Sequence, residues 1–105
     1  MRHKVELTLV RHGATQWNRD KRYLGHTDEP LLAEAHDSLR SLGSWLSDQS
    51  FDLMHSSDLR RCLDTLEIAA PALLPKAIRD ERLRELHFGE WEGETYATLK
   101  DIPLY

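Results

Sequence analysis

The chain opens with an alternation of apolar and polar side chains. Val5, Leu7 and Leu9 share one face of residues 5–10, and this period of two predicts a β-strand. Alternate positions in this segment also carry apolar side chains, so both faces could be partly buried, as in a parallel sheet. Residues 14–28 are mostly polar and predict a loop.

Two longer segments have the spacing of amphipathic helices. Residues 32–47 carry one apolar stripe, because their apolar side chains recur three or four positions apart. The stripe consists of Ala35, Leu39, Leu42 and Leu46. Residues 59–70 predict a second helix that follows three side chains able to cap it and ends at Pro71 or Pro75. The capping candidates are Ser56, Ser57 and Asp58.

Shorter segments complete an alternating order of strands and helices. Residues 51–55 and 76–79 predict a second and a third strand, residues 82–93 a charged loop, and Thr95 the cap of a last helix that runs to about residue 102. This order predicts an α/β domain with a mainly parallel sheet, which needs helices on both faces. We therefore expect a three-layer α/β/α architecture. Three strands make a thin sheet, so residues 1–105 are expected to be the N-terminal, apparently truncated part of a single domain.

Composition restricts the classes of function. Hydrophobic residues make up 40% of the 105 residues and charged residues 30%, which is typical of a folded protein in water. The formal net charge of −4 provides no overall basic field for nucleic acid. The sequence shows neither a signal-peptide pattern nor an apolar stretch long enough to span a bilayer. Cys62 is the single cysteine, so we expect no internal disulfide and a reducing compartment. Together, these features predict a cytoplasmic protein without a membrane contact or a nucleic-acid partner.

Three residues with chemical potential follow the first predicted strand directly: Arg11, His12 and Gly13. Ligands of open α/β sheets bind at the carboxyl ends of the strands. A neutral imidazole is a nucleophile that can carry a group covalently, and a guanidinium donates two parallel hydrogen bonds to phosphate oxygens. The tripeptide therefore fits phosphoryl transfer, but it fits a histidine with a purely structural role as well.

Four motifs in a fixed order favour phosphoryl transfer. Residues 9–18 read Leu-Val-Arg-His-Gly-Ala-Thr-Gln-Trp-Asn, and residues 25–31 read Gly-His-Thr-Asp-Glu-Pro-Leu. Residues 56–61 read Ser-Ser-Asp-Leu-Arg-Arg, with Thr65 following, and residues 83–93 contain Leu-Arg-Glu and Phe-Gly-Glu-Trp-Glu-Gly. Over nearly the whole chain, these motifs resemble the histidine phosphatase superfamily, also called phosphoglycerate-mutase-like. The resemblance implies a phosphoglycerate-mutase-like fold and a phosphomonoester hydrolase that works through a phosphohistidine.

The resemblance also implies roles for individual positions. His12 matches the histidine that becomes phosphorylated, and Arg11 and Arg61 match two arginines that bind the same phosphate. Glu85 matches the residue that protonates the leaving alkoxide and later takes a proton from water. Because neighbouring positions on a helix diverge by ~100°, only one of Arg60 and Arg61 can face the site.

Substrate contacts are implied at three further positions, which are Thr15, Asn18 and Gly25. Asn18 matches a side-chain donor to phosphate and Gly25 a backbone contact. The six histidines show no metal-binding spacing, so we expect no metal and no cofactor. The expected partner is a small phosphorylated metabolite.

The sequence departs from the family pattern in two respects. The family carries a second catalytic histidine late in the chain, and nothing here matches it. Two hypotheses follow: an enzyme that hydrolyses phosphomonoesters, or a catalytically impaired phosphate-binding or regulatory fragment. A homo-oligomer in which another copy completes the sheet is a third. Leu86 stands where the mutase branch has an arginine, which favours a phosphatase over a mutase; residues 23–28 and 85–89 most resemble the α-ribazole phosphatase branch and its broad-specificity relatives.

Overall fold

Residues 4–100 are described by the computed structural model of this chain. Its α-helices are α1 (Gln16–Arg19), α2 (Ala35–Leu46), α3 (Arg60–Ala69) and α4 (Tyr96–Leu99). Its strands are β1 (His55–Ser56) and β2 (Ile78–Arg79), and 3₁₀ helices span Pro71–Lys76, Glu81–Leu83 and Gly89–Trp91. No helix within this part of the chain is both long and apolar enough to cross a bilayer.

The two strands pair in parallel, with His55 opposite Ile78 and Ser56 opposite Arg79. The chain between them contains α3. Parallel strands need such a crossover connection, because a tight turn can join only antiparallel strands. The predicted α/β class is therefore confirmed. Strand β1 overlaps the predicted second strand, 51–55, only at His55, whereas β2 lies within the predicted third strand, 76–79.

The predicted strand at residues 5–10 is not part of any sheet within residues 4–100, so the three-stranded sheet is wrong for this part of the chain. Val5, Leu7 and Leu9 are 89%, 78% and 83% exposed. The alternating pattern of residues 5–10 predicts a strand, but a strand of a sheet forms only where a neighbouring strand pairs with its backbone. Within the described residues the neighbour is missing, and the apolar side chains face solvent.

The core lies between α2 and α3. Its fully buried members are Leu39, Leu46, Ala69 and Ala70, and partly buried apolar side chains surround them. Gly43 makes the close approach of the two helices possible, because a Cβ at this position would collide with the carbonyl oxygen of Ala69. Leu39 and Leu46 belong to the predicted apolar stripe, so the helical periodicity identified the correct face.

Helix α1 lies inside residues 14–28, for which the polar sequence predicts a loop, so the prediction is wrong for Gln16–Arg19. A capping box stabilises its first turn: the Thr15 hydroxyl accepts from the Asn18 N–H at 3.2 Å, and Asn18 Oδ1 accepts from the Thr15 N–H at 3.1 Å. A four-residue helix held by its cap has no apolar stripe, so periodicity cannot reveal it. Helix α4 begins after Thr95 as predicted, whereas its predicted end near residue 102 lies outside the described residues.

Candidate active site

His12 is half-buried, and its ring orientation is set by its own backbone neighbourhood. Nδ1 lies 2.6 Å from the carbonyl oxygen of Gly13. Because a carbonyl only accepts hydrogen bonds, Nδ1 carries the hydrogen in this arrangement. In the neutral ring, Nε2 then keeps its lone pair. The atom of His12 that can attack an electrophile is therefore Nε2.

The pKa of His12 lies below its ordinary value of 6.5. Burial of the ring is the main cause, and the guanidinium groups of Arg61 and Arg11 lower the pKa further. The hydrogen bond to Gly13 and the carboxylate of Glu85 act in the opposite direction. Arg61, Arg11 and Glu85 therefore lie within electrostatic range of His12. At neutral pH the imidazole is uncharged, as a nucleophile must be.

Arg61 is the most unusual side chain of the site because it is a cation that is only 2% exposed. Its Nη1 donates to the Thr27 carbonyl at 2.9 Å and its Nη2 to the Gly25 carbonyl at 2.5 Å. Nε is buried and has no hydrogen-bond partner among residues 4–100, and no ion pair of Arg61 with a carboxylate is found there. A buried charge without a counter-charge is costly, so this position favours a bound anion.

The two neighbouring arginines of α3 behave differently, as predicted from helix geometry. Arg60 is exposed and pairs with Asp64 one turn further along, at 3.2 Å. Its backbone N–H donates to Asp28 at 2.9 Å. Arg61 faces the interior, so the expectation that only one of the two points inward is confirmed.

Thr65 connects the histidine turn to the arginine helix. Its hydroxyl accepts from the Gly13 N–H at 2.9 Å and donates to the Arg61 carbonyl oxygen at 2.6 Å. The side chain is 3% exposed, so both bonds are shielded from water. Thr65 follows the motif at 56–61, and the resemblance implies no role for it. Its position four residues after Arg61 does indicate one, since a threonine one helical turn after a functional arginine lies on the same face of the helix.

Glu85 is exposed, and the two arginines beside it in the sequence are engaged elsewhere. Arg84 makes a bidentate pair with Asp58 at 2.6 and 2.5 Å, and Arg82 binds Asp80 at 2.7 Å. A surface ion pair of Glu85 with either arginine is therefore absent from this part of the chain. The Arg84–Asp58 pair also ties the segment that carries Glu85 to the start of α3.

A histidine pair supports the backbone of Glu85. Nε2 of His26 lies 2.8 Å from the Glu85 carbonyl oxygen, and the rings of His26 and His87 meet edge to face with centroids 4.6 Å apart. The carboxylate itself accepts from the N–H of Leu86 at 2.9 Å. The loop at 25–27 and the segment at 85–87 therefore pack against each other.

The three predicted substrate contacts have different surroundings. Thr15 is fully buried and caps α1, and its role as a substrate contact stays a prediction. Asn18 commits its oxygen to the Thr15 N–H, so its Nδ2 group is the part that can donate to an anion. Gly25 donates its N–H to Glu92 Oε2 at 2.7 Å. This N–H is therefore not free for the predicted backbone contact with phosphate. In this structure Gly25 supports Arg61 through its carbonyl.

Within residues 4–100, no group of three or more histidine, cysteine, aspartate or glutamate side chains is arranged to hold a metal ion. The electrostatic surroundings of the His12 imidazole include two guanidinium groups and one carboxylate. These are chemical types suited to binding and accepting a phosphoryl group.

Known proteins are similar to this chain in sequence and in fold. Residues 7–103 match the histidine phosphatase superfamily (branch 1). The probable phosphoglycerate mutase GpmB of Serratia proteamaculans (strain 568) is 40% identical over 95 residues, which are 90% of this chain and 44% of the relative. A provisionally assigned alpha-ribazole-5'-P phosphatase from Escherichia coli str. K-12 substr. MG1655 superposes with a TM-score of 0.78 at 33% identity, over 86% of this chain and 46% of that one. Bacillus stearothermophilus YhfR superposes with the same TM-score, 0.78, at 36% identity, over 90% and 47%.

These matches cover most of the chain at substantial identity, and the chain therefore belongs to the histidine phosphatase superfamily. Its fold is the N-terminal part of the fold found in the solved structures. The chain spans about half the length of the relatives it matches.

Proposed function

We propose that this chain carries the phosphoryl-accepting part of a phosphomonoester hydrolase, with His12 as the nucleophile. The observation that carries the proposal is the buried guanidinium of Arg61, which pairs with no carboxylate among residues 4–100 and whose charge acts on the neutral imidazole of His12. A phosphate dianion at this point would supply the missing negative charge and lie close to the nucleophile.

In the proposed reaction, the phosphate oxygens bind Arg61, Arg11 and the Asn18 amide. Nε2 of His12 attacks phosphorus, a P–N bond forms and the bond from phosphorus to the ester oxygen breaks. The carboxyl group of Glu85 gives its proton to the leaving alkoxide. Glu85, now a carboxylate, takes a proton from water as that water attacks the phosphohistidine. The P–N bond then breaks, and inorganic phosphate and neutral His12 are released.

The reaction class within the family follows from the residue after Glu85. The names of the matching proteins include a phosphoglycerate mutase and an alpha-ribazole-5'-P phosphatase. Leu86 is apolar and 71% exposed, so this position offers no cation for the carboxylate of a phosphoglycerate. We therefore favour hydrolysis over mutase activity, and we propose an α-ribazole-5'-phosphate-like substrate.

A phosphate-binding or regulatory fragment is the second candidate. Residues 5–10, which lead directly to Arg11 and His12, lie outside any sheet within residues 4–100. A nucleophile mounted on an unpaired segment is held less firmly, and loss of positioning slows catalysis more than it weakens anion binding.

Radiolabelled phosphomonoester separates the two candidates. For the enzyme we expect a covalent label that is labile in acid and stable in alkali, absent in His12→Ala and strongly reduced in Arg61→Ala. Arg60→Ala is the matched control, since it removes an exposed arginine from the same helix, and it should label normally. Phosphate binding without labelling would support the second candidate. A chain that neither labels nor binds phosphate would contradict both.

A further inference from the structure

We propose that Glu92 is a positioning residue that holds Arg61 ready for the phosphate through the backbone of residues 25–27. The inference rests on the proposed function of Arg61 and adds a residue to that site. Glu92 belongs to the last motif and has no role in the proposed reaction.

The carboxylate of Glu92 uses both oxygens on one short loop. Oε2 accepts from the Gly25 N–H at 2.7 Å, and Oε1 accepts from the Thr27 N–H at 2.8 Å and the Thr27 hydroxyl at 3.0 Å. Two backbone N–H groups and one hydroxyl of this loop therefore converge on one side chain, 65 to 67 positions away in the sequence.

The opposite side of the same loop faces Arg61. The carbonyls of Gly25 and Thr27 accept from its Nη2 and Nη1. Gly25 and Thr27 therefore bind Glu92 through their N–H groups and Arg61 through their carbonyls. By holding these two residues in place, Glu92 also holds the two carbonyls that accept from the guanidinium.

Glu92 contacts the loop without pairing with Arg61. Among residues 4–100, no ion pair between the two side chains is found, and the buried Nε of Arg61 has no hydrogen-bond partner. The fit is tight at Gly25, where a Cβ would lie 2.8 Å from Glu92 Oε2 and 3.0 Å from the Phe88 ring.

Glu92 remains ionised in these surroundings. Burial acts to raise its pKa, but the N–H groups of Thr27 and Gly25 and the Thr27 hydroxyl lower it, and the pKa ends below its ordinary value. An ionised carboxylate accepts the loop donors at full strength.

The test uses Glu92→Gln in the full chain. Glutamine replaces one of the two accepting oxygens with an NH₂ group, which would face an N–H donor of the loop. Glu90→Gln is the matched control, since it makes the same change of charge on an exposed side chain two positions earlier. Two measurements are made on each variant: the nuclear magnetic resonance signal of the Arg61 Nε–H, and the affinity for inorganic phosphate by titration calorimetry.

We expect Glu92→Gln to shift and broaden the Arg61 signal and to weaken phosphate binding about tenfold, or ~1.4 kcal/mol, while Glu90→Gln matches the parent chain. A parent-like Arg61 signal and affinity in Glu92→Gln would overturn the inference. If the Arg61 signal responds to Glu92→Gln but even the parent chain binds no phosphate, the positioning of Arg61 stands and the proposed function fails.

A second variant covers the case in which Glu92→Gln does not fold. Thr27→Val removes only the 3.0 Å hydroxyl contact with Glu92. It should move the Arg61 signal in the same direction by a smaller amount and weaken phosphate binding a few-fold. An unchanged Arg61 signal in folded Thr27→Val would count against the inference.

Discussion

The hydroxyl of Thr65 accepts a hydrogen bond from the N–H of Gly13 at 2.9 Å, across 52 positions of sequence. The same hydroxyl donates to the carbonyl of Arg61, so a single oxygen connects the turn after the nucleophile with the helix of the phosphate-binding arginine. The position of the turn that carries His12 relative to Arg61 therefore depends on tertiary packing.

Replacing Thr65 with valine should destabilise the fold by ~1–3 kcal/mol, because the Gly13 N–H would stay buried without an acceptor. Urea unfolding measures the loss. Thr98→Val, at an exposed position of α4, is the control and should stay within about 0.5 kcal/mol of the parent chain. Equal unfolding free energies for the two variants would show that the Thr65 link is not structural.

The titration of His12 tests the electrostatics of the site. Its folded pKa is lowered, so between that value and 6.5 the unfolded chain binds more protons than the folded one. Stability from this group is therefore complete above pH 6.5 and is lost as the pH falls through the folded pKa. The imidazole signal in nuclear magnetic resonance should titrate with a midpoint below 6.5.

The arginine contribution to that midpoint can be separated from burial. Arg61→Met removes a positive charge that lowers the pKa of His12, so the midpoint should rise toward its ordinary value. Arg60→Met removes an exposed charge from the neighbouring position and should leave the midpoint unchanged. Equal midpoints in both variants would place the Arg61 charge too far from His12 for the proposed site.

The Arg84–Asp58 pair should control the segment that carries Glu85. Arg84→Gln removes the bidentate contact, and we expect faster amide hydrogen exchange at residues 85–87. Arg82→Gln is a matched control, because it breaks a similar pair with Asp80. The side chain of Arg82 is 86% exposed. Exchange that rises equally in both variants would mean that the Arg84 pair has no special hold on Glu85.

The exposed apolar side chains of residues 5–10 should cause self-association. Unpaired strands with apolar side chains pair readily with other chains. Leu7→Lys should lower the apparent mass of the chain in sedimentation velocity runs at high protein concentration, since Leu7 is 78% exposed. Leu53→Lys, at a position 76% exposed but outside this segment, should have little effect. A parent chain that stays monomeric at every concentration would refute this expectation and the homo-oligomer hypothesis.

Local patterns in the sequence determined much of this protein. Apolar spacing located α3, and it identified α2 together with its buried face, because burial on one side of a helix repeats every three to four residues. Helix geometry allowed only one of Arg60 and Arg61 to face inward, and the motif selected Arg61. The chemical types of His12, Arg61 and Glu85, together with their motifs, indicated phosphoryl chemistry before any contact was known.

Only the tertiary structure decided how those groups are held. The link through Thr65, the support of the loop at 25–27 by Glu92 and the solvent exposure of Leu7 depend on segments that are distant in the chain. A periodic pattern reports that a side chain prefers burial, but it does not report whether a partner is present. Hydrogen bonds over such separations form only when packing brings donor and acceptor together, which a one-dimensional pattern does not encode.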